Sequence, residues 1–241
     1  LYVGDAGTGT LTIEDGGSVS NTFSLIGDNA GSVGTATVSG SGSSWSNSDY
    51  LYVGENGTGT LNILDGGLVS NVNGYAGRNS NGDGTITVSG TGSTWTSSGI
   101  TAIGGQGTGM LTVSDGGTVT TAANGFVGAN NGSTGTVTFT GTGSSWGVTN
   151  RLYVGNTGQG TMTVQEGAAV TSDGANIGSD ATGVGLLNIT GTGSTWTNTD
   201  TLNVGSSGTG TMTVSNGGVV TISSTVELGG GAGSTGTVTV T

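Results

Sequence analysis

Short runs of alternating apolar and polar residues recur along the whole chain. In one such run Leu11 and Ile13 alternate with Thr10 and Thr12, and the same pattern returns in each following segment. Apolar residues at every second position indicate a β-strand with one face against a core. Gly, Asn, Asp and Ser, the residues of tight turns, separate the runs. Apolar residues do not follow the three- and four-residue spacing of a helix, so the pattern predicts an all-β fold.

The runs belong to an internal repeat that is marked by tryptophan. Successive tryptophans are 50, 51 and 50 residues apart, at Trp45, Trp95, Trp146 and Trp196. We therefore divide the chain, as a single domain, into repeats 1–50, 51–100, 101–151, 152–201 and 202–241. Each repeat divides again into two similar halves of 23 to 27 residues, which gives ten half-repeats with the last one incomplete.

A half-repeat is too short to fold alone, but it contains three strand-like stretches. Such units become stable when neighbours stack above and below them and bury a continuous core. The pattern therefore predicts a parallel three-sided β-solenoid of about ten coils, paired into 50-residue repeats. At one strand spacing per coil, the rod is roughly 48 Å long.

Two sets of aromatic residues have different expected positions. Trp45, Trp95, Trp146 and Trp196 share a column with valines, so we expect them to fill a widened core in alternate coils; the alternative is that they stack on sugars. On another side of the solenoid, the residue that precedes each inward apolar residue in the sequence points outward. That column contains five aromatic residues: Tyr2, Tyr52, Tyr75, Phe126 and Tyr153. Such an edge either binds a sugar or a partner, or consists of side chains that stack on one another between coils.

Composition excludes several classes of function. The chain has no His, Lys or Cys, so the usual general bases, thiol nucleophiles and imidazole ligands are missing, and we predict no catalytic residues and no enzyme activity. The net charge is −12, and Arg78 and Arg151 are the only basic side chains, which excludes nucleic-acid binding. No apolar run approaches the roughly 20 residues of a membrane-spanning helix. Because the chain opens without Met and inside a repeat, we expect it to be part of a longer protein.

Acidic residues recur at one turn of each repeat: Asp15, Asp65, Asp115 and Glu166, with Asn216 in the last. We expect these residues to shape turns, with the carboxylates accepting backbone N–H bonds. At two coils apart, roughly 9.6 Å, they are too distant to share one cation. No cofactor and no metal site are predicted, apart from a weak similarity of residues 79–84 to a calcium loop, which lacks the acidic residue that closes such a loop.

A third outward column consists mostly of threonine pairs such as Thr85 and Thr87. Flat rows of threonine resemble the ice-binding faces of some antifreeze proteins. Thr is also a common strand residue, and Met110, Leu186 and Asn188 interrupt the rows, so ice binding is a minor alternative.

The repeat motifs resemble a known family. The blocks Leu-Tyr-Val-Gly-x-x-Gly-x-Gly-Thr-Leu-Thr-Ile, Asp-Gly-Gly and Gly-x-Gly-Ser-x-Trp are similar to the autotransporter/PEP-CTERM-associated repeat, over essentially the whole chain. The resemblance implies a right-handed parallel β-helix that is exported from a bacterial cell, in adhesin-like or surface proteins without family catalytic residues. Departures include Thr101-Ala102 in place of Leu-Tyr, and Glu166-Gly167-Ala168 in place of Asp-Gly-Gly.

Two functions follow as the main hypotheses, beside the minor alternative of ice binding. The first is an extracellular or cell-surface adhesin-like stalk or binding rod, whose partners are host or environmental glycans and surfaces. The second is a structural fibre or matrix protein that self-associates end to end. The rival enzymatic class, the polysaccharide lyases and galacturonases with a β-helix fold, uses basic residues, calcium or a carboxylate cluster. In this chain Glu14 and Asp15 are the only adjacent acids, and they point to opposite sides of an extended segment.

Overall fold

The chain folds into strands and turns without helices in a computed structural model that describes all 241 residues. The strands in chain order are β1 (Tyr2–Val3), β2 (Thr8–Ile13), β3 (Ser18–Asn21), β4 (Ser24–Ile26), β5 (Val33–Ser39), β6 (Ser44–Asn47), β7 (Tyr50–Val53), β8 (Thr58–Leu64), β9 (Leu68–Asn71), β10 (Asn73–Ala76), β11 (Asp83–Ser89), β12 (Thr94–Ser97), β13 (Thr101–Ile103) and β14 (Thr108–Ser114). They continue with β15 (Thr118–Thr121), β16 (Gly125–Val127), β17 (Thr134–Thr140), β18 (Ser145–Val154), β19 (Gln159–Gln165), β20 (Ala169–Ile177), β21 (Val184–Thr190), β22 (Thr195–Asn198), β23 (Leu202–Val204), β24 (Thr209–Ser215), β25 (Val219–Ile222), β26 (Val226–Leu228) and β27 (Thr235–Val240).

The strands form three faces, and every strand pair is parallel and joins neighbouring coils. Face 1 contains β1, β4, β7, β10, β13, β16, the second half of β18, the second half of β20, β23 and β26. Face 2 is the ten-stranded sheet β2, β5, β8, β11, β14, β17, β19, β21, β24 and β27. Face 3 contains β3, β6, β9, β12, β15, the first halves of β18 and β20, β22 and β25. The predicted three-sided parallel β-solenoid of about ten coils is confirmed.

Glycine makes the corner between faces 1 and 2. Gly54 has a φ of +70°, and a Cβ there would lie 2.2 Å from the carbonyl oxygen of Asp83 in the next coil. A Cβ at Gly59 would lie 2.2 Å from the nitrogen of Gly54. Adjacent coils therefore approach so closely at this corner that only a hydrogen atom fits, which accounts for much of the glycine content of the chain.

The acidic residues lie in turns, as predicted, but their carboxylates do not hold those turns. Asp65 and Gly66 both have positive φ, 52° and 91°, and the N–H of Gly67 donates to the carbonyl of Leu64 at 2.9 Å, as in a type I′ turn. The N–H of Gly66 donates to Ser93 Oγ of the next coil at 3.0 Å. The prediction that the carboxylates accept these backbone bonds was wrong, because a stacked serine does so. The five residues of this column are the non-glycine residues with positive φ: Asp15, Asp65, Asp115, Glu166 and Asn216.

The four tryptophans lie in the core and are at most 1% exposed. Their indole N–H groups donate to polar side chains two residues beyond the matching valine of the preceding coil. Trp95 Nε1 lies 2.7 Å from Asn71 Oδ1, and Trp146 Nε1 lies 3.0 Å from Thr121 Oγ1. A column of polar residues therefore runs inside the solenoid and satisfies each buried indole.

Core volume alternates between face 3 and face 1. Coils with tryptophan on face 3 have a small residue at the first inward position of face 1. Coils with valine in place of that tryptophan mostly have a larger residue at the same face 1 position. A Cβ at Gly74 would lie 2.5 Å from Trp95 Cζ2, and one at Gly125 would lie 2.9 Å from Trp146 Cζ2. The small residues are Ser24, Gly74, Gly125 and Ala175, and the others are Leu51, Thr101, Leu152 and Leu202. This complementarity makes the structural period two coils, which is the 50-residue repeat of the sequence.

Candidate functional site: an aromatic ladder on face 1

The outward positions of face 1 stack in register from coil to coil. The strand pairs align Tyr2, Leu25, Tyr52, Tyr75, Ala102, Phe126, Tyr153, Asn176, Asn203 and Glu227 in one column. All five predicted aromatic residues belong to this column. Tyr2 is 51% exposed and the other four are half-buried, so the rings are accessible from solvent.

Neighbouring rings pack against one another, either edge to face or face to face. This packing stabilises the rings and leaves their outer sides free. The Tyr52 and Tyr75 centroids lie 5.2 Å apart with the rings nearly perpendicular, at 85°. Phe126 and Tyr153 lie 4.9 Å apart and nearly parallel, at 8°. Both geometries are favourable for aromatic pairs. Stacking between coils and an exposed aromatic surface therefore coexist in this structure.

Two further rings, which were not predicted, extend the column. Phe23 lies 5.9 Å from Tyr2 and 4.9 Å from Tyr50, and Tyr50 lies 4.4 Å from Tyr52, all between centroids. Leu25, which is aligned between Tyr2 and Tyr52 in the column, is only 5% exposed although the alternation places it outward. We call the seven rings the aromatic ladder: Tyr2, Phe23, Tyr50, Tyr52, Tyr75, Phe126 and Tyr153.

Arg78 packs against the ladder at its middle. The guanidinium carbon lies 5.1 Å from the centroid of Tyr52 and 4.9 Å from that of Tyr75, within the range of cation–π contacts. Burial raises the pKa of Tyr75 above its ordinary value, and the Arg78 charge opposes that shift. Burial likewise raises the pKa of Tyr50. The two hydroxyls therefore remain protonated, neutral hydrogen-bonding groups at physiological pH.

A carboxylate pair lies beside the ladder, on the turns that follow face 1. The backbone N–H of Glu55 donates to Gly27 of the preceding coil, which stacks Glu55 beside Asp28. Burial, followed by a side-chain hydrogen bond and repulsion from Asp28, raises the pKa of Glu55 to about 7, while Arg78 acts in the opposite direction. These two acids are not adjacent in sequence, so the pair was not predicted. No group of three or more Asp, Glu, His or Cys side chains is placed to share a metal ion.

The ladder is interrupted at Ala102, where the column has a methyl group between two rings. A cavity of about 240 Å³ opens there, and Tyr75 and Phe126 are among its walls. Ala102 itself is 1% exposed, so the alternation predicted its direction but not its burial. Five of the seven lining residues are apolar, and the other two are Asn130 and Asn156.

The other cavities are polar. One of about 270 Å³ surrounds Arg151, whose Nη2 lies 3.9 Å from Asp200 Oδ2 at an exposed ion pair. Another of about 470 Å³ is lined only by Ser, Thr and Asn side chains at the first two coils. In the segment compared with a calcium loop, the amide oxygen of Asn79 accepts a hydrogen bond from Arg78 at 3.4 Å, so a cationic group is at that position.

The threonine rows lie in register on face 2. Thr85 and Thr87 align with Thr60 and Asn62 on one side and with Met110 and Thr112 on the other. Met110 is 46% exposed and projects from the row. The rows are therefore interrupted after a few coils.

The structure contains no helix with the length and apolarity needed to cross a membrane. No protein family model matches the chain, and no curated protein is similar to it. Among solved structures, the crystal structure of a TibC-catalyzed hyper-glycosylated TibA fragment is similar to this chain at 20% sequence identity. The match covers 100% of this chain and 80% of that chain, with a TM-score of 0.37. This likeness is too low to assign a family or a function, so membership in the autotransporter/PEP-CTERM-associated repeat family stays a prediction.

Proposed function

We propose that this chain is the non-catalytic binding rod of an exported bacterial surface protein, and that the aromatic ladder is its adhesive surface for host or environmental glycans. The observation that carries the proposal is a row of partly exposed rings on one face of the solenoid. Sugars bind aromatic rings through their apolar C–H faces, and exposed aromatic rows of this kind mark binding surfaces.

The scaffold is suited to this role. Each inner coil is bonded to the coil before it and the coil after it, so the ladder is held on a stiff element. Sites on regular elements keep their geometry better than sites on loops. Repeated shallow contacts also add avidity when a polymeric ligand runs along the rod.

Composition and motifs support the remaining parts of the proposal. The absence of His, Lys and Cys favours binding over catalysis, and a net charge of −12 disfavours nucleic acid as the partner. Export and a cell-surface location rest on the resemblance of the repeat motifs.

The test removes three rings from the ladder. We expect the triple variant Tyr52→Ser, Tyr75→Ser and Tyr153→Ser to lose at least tenfold in affinity for glycans that bind the wild-type chain on a glycan array. The control replaces Thr85 and Thr87 by Ser on face 2, which leaves the ladder intact.

Circular dichroism checks that both variants keep their strand content. Unchanged glycan binding by the folded triple variant would refute the proposal. Regular filaments in electron micrographs of the wild-type chain, together with no bound glycan, would favour the fibre hypothesis instead.

A further inference from the structure

The interruption of the aromatic ladder has the geometry of a single binding slot. Tyr75 pairs with Ala102, and Ala102 pairs with Phe126, so the two rings project from strands that are two coils apart. Ala102 lies between them in the column and is among the residues that line the cavity, with 1% of its surface exposed. Ile100 and Ala129 complete the apolar lining of the cavity of about 240 Å³.

The slot has room for one ring. Two strand spacings separate the backbones of Tyr75 and Phe126 by about 9.6 Å. Contact distances of roughly 3.5–4.0 Å on each side occupy about 7–8 Å when a flat group lies between two rings. The volume of the slot is below the roughly 300–1,000 Å³ of sites for drug-sized molecules, which also indicates a single ring.

One wall of the slot is a free aromatic face. Phe126 stacks on Tyr153 of the following coil at an angle of 8°, so that side of its ring is covered. Its opposite side is directed toward the coil of Ala102. A quadrupolar ring face of this kind attracts the weakly positive C–H groups of a sugar.

The polar groups of the slot are two oriented amides. Asn130 Nδ2 donates to the carbonyl of Gly105 at 2.7 Å, and Asn156 Nδ2 donates to the carbonyl of Ala129 at 3.0 Å. These bonds orient each amide and engage one of its two N–H donors, so the Oδ1 atom, which accepts hydrogen bonds, and the second N–H of each amide are available. A ligand for this slot therefore combines an apolar ring face with hydroxyl groups at its edge, which can donate to the amide oxygens and accept from the remaining N–H groups.

We propose that the slot at Ala102 binds one neutral pyranose ring of a glycan chain, with a C–H face on Phe126 and hydroxyls donating to Asn130 and Asn156. This inference rests on the proposed function and specifies one subsite of it. The ligand is neutral because no acidic or basic side chain lines the slot and the chain carries a net charge of −12, which repels uronic-acid polymers.

The experiment titrates the whole chain with a neutral oligosaccharide, cellohexaose, and with an acidic one, a galacturonic acid hexamer. NMR of ¹³C-methyl-labelled alanine follows the Ala102 methyl directly. We expect cellohexaose to shift the Ala102 signal and the acidic hexamer to leave it unchanged. Ala102→Tyr places a ring in the slot, as at the other aromatic positions of the column, and is expected to weaken cellohexaose binding at least tenfold.

Glu227→Tyr is the matched control, since it adds the same ring to the same column at an exposed position three coils beyond Tyr153, where no slot forms, and its affinity is not expected to fall below that of the wild type. Asn156→Ala is a second variant, for the case in which Ala102→Tyr fails to fold. It is expected to weaken binding at least threefold, because it removes one acceptor and leaves the walls intact.

The outcomes separate the subsite from the general function. Wild-type affinity in a folded Ala102→Tyr chain, combined with loss of binding in Tyr52→Ser and Tyr153→Ser, would overturn the slot and leave the adhesive ladder standing. A shift of the Ala102 methyl by the acidic hexamer alone would overturn the assignment of a neutral sugar. Absence of binding to any glycan would overturn both proposals.

Discussion

The volume exchange between Gly74 and Trp95 predicts that two harmful substitutions compensate each other. Coil 3, formed by β7 to β9, has Leu51 and Val69 at the two positions where coil 4, formed by β10 to β12, has Gly74 and Trp95. Replacing Gly74 by Leu and Trp95 by Val therefore gives coil 4 the core pair of coil 3. We expect each single variant to be destabilised and the double variant to be much less destabilised than the sum of the two.

The magnitudes follow from the contacts. Trp95→Val empties part of a fully buried site and removes the 2.7 Å bond to Asn71, which amounts to about 4 kcal/mol from a cavity term and an unpaired acceptor. Gly74→Leu puts a Cβ 2.5 Å from Trp95 Cζ2, and overpacking of this kind costs about 1–3 kcal/mol. In the double variant Leu fills the space that the indole leaves. Only the unpaired Asn71 amide and imperfect packing remain, at about 2–3 kcal/mol.

The four proteins of this double-mutant cycle are compared by urea unfolding, followed by circular dichroism and by amide hydrogen exchange in coils 3 to 5. Local exchange is included because solenoid coils contact only their neighbours and can open separately. We expect a coupling energy of about 2–5 kcal/mol between the two sites. Additivity within about 0.5 kcal/mol would refute the volume exchange. Thr87→Ser, an outward substitution on face 2, is the control and is expected to change stability by less than about 0.5 kcal/mol.

Two further predictions concern a titration and a turn. Since folding raises the pKa of Glu55 from 4.5 to about 7, its protonated form stabilises the fold below pH 4.5, and this contribution is lost as the pH rises through 7. We expect the free energy of unfolding in urea to fall between pH 5 and 8, by no more than about 1 kcal/mol because solvent screens the group. Glu55→Gln is expected to flatten this fall, and the control Glu14→Gln is not. An equal slope in both variants would contradict the assignment. At the type I′ turn, we expect Asp65→Val to lower the free energy of unfolding by about 1–2 kcal/mol and Asp65→Gly to change it very little, because φ at this residue is +52°. Equal melting temperatures for the two variants would show that the left-handed backbone is not what selects this residue.

The features set by local spacing were predictable from the sequence. Alternation of Leu11 and Ile13 with threonines gives strands, and a step of 23 to 27 residues is long enough for three of them and too short for a domain. The inward position of Trp95 followed in the same way, from its alignment with valines. Each of these inferences needs only the two-residue strand period and the repeat length.

Contacts across a corner or between faces were not predictable in this way. Gly74 reads as a turn residue, although it lies in a strand and is small because an indole occupies the space beside it. Phe23 and Tyr50 join the ladder because the corner between faces 3 and 1 brings them beside face 1. Asn71 looks like a surface residue and is buried to accept the Trp95 N–H. Each case depends on the path of the chain through a corner, which the repeat length does not specify.

The departures from the repeat are therefore the best guide to a site, because the repeat itself encodes the scaffold. Thr101-Ala102 replaces the Leu-Tyr of other coils, and the two changes act on opposite sides of one strand. Inward, the Thr101 hydroxyl lies 2.7 Å from that of Thr121, which also accepts the Trp146 N–H, so the core stays hydrogen-bonded. Outward, Ala102 removes one ring from the ladder and opens the slot. The inward change keeps the coil stacked in register, while the outward change is free to alter the surface, so a solenoid of this kind can gain or move a ring-sized subsite by substitutions at a single strand.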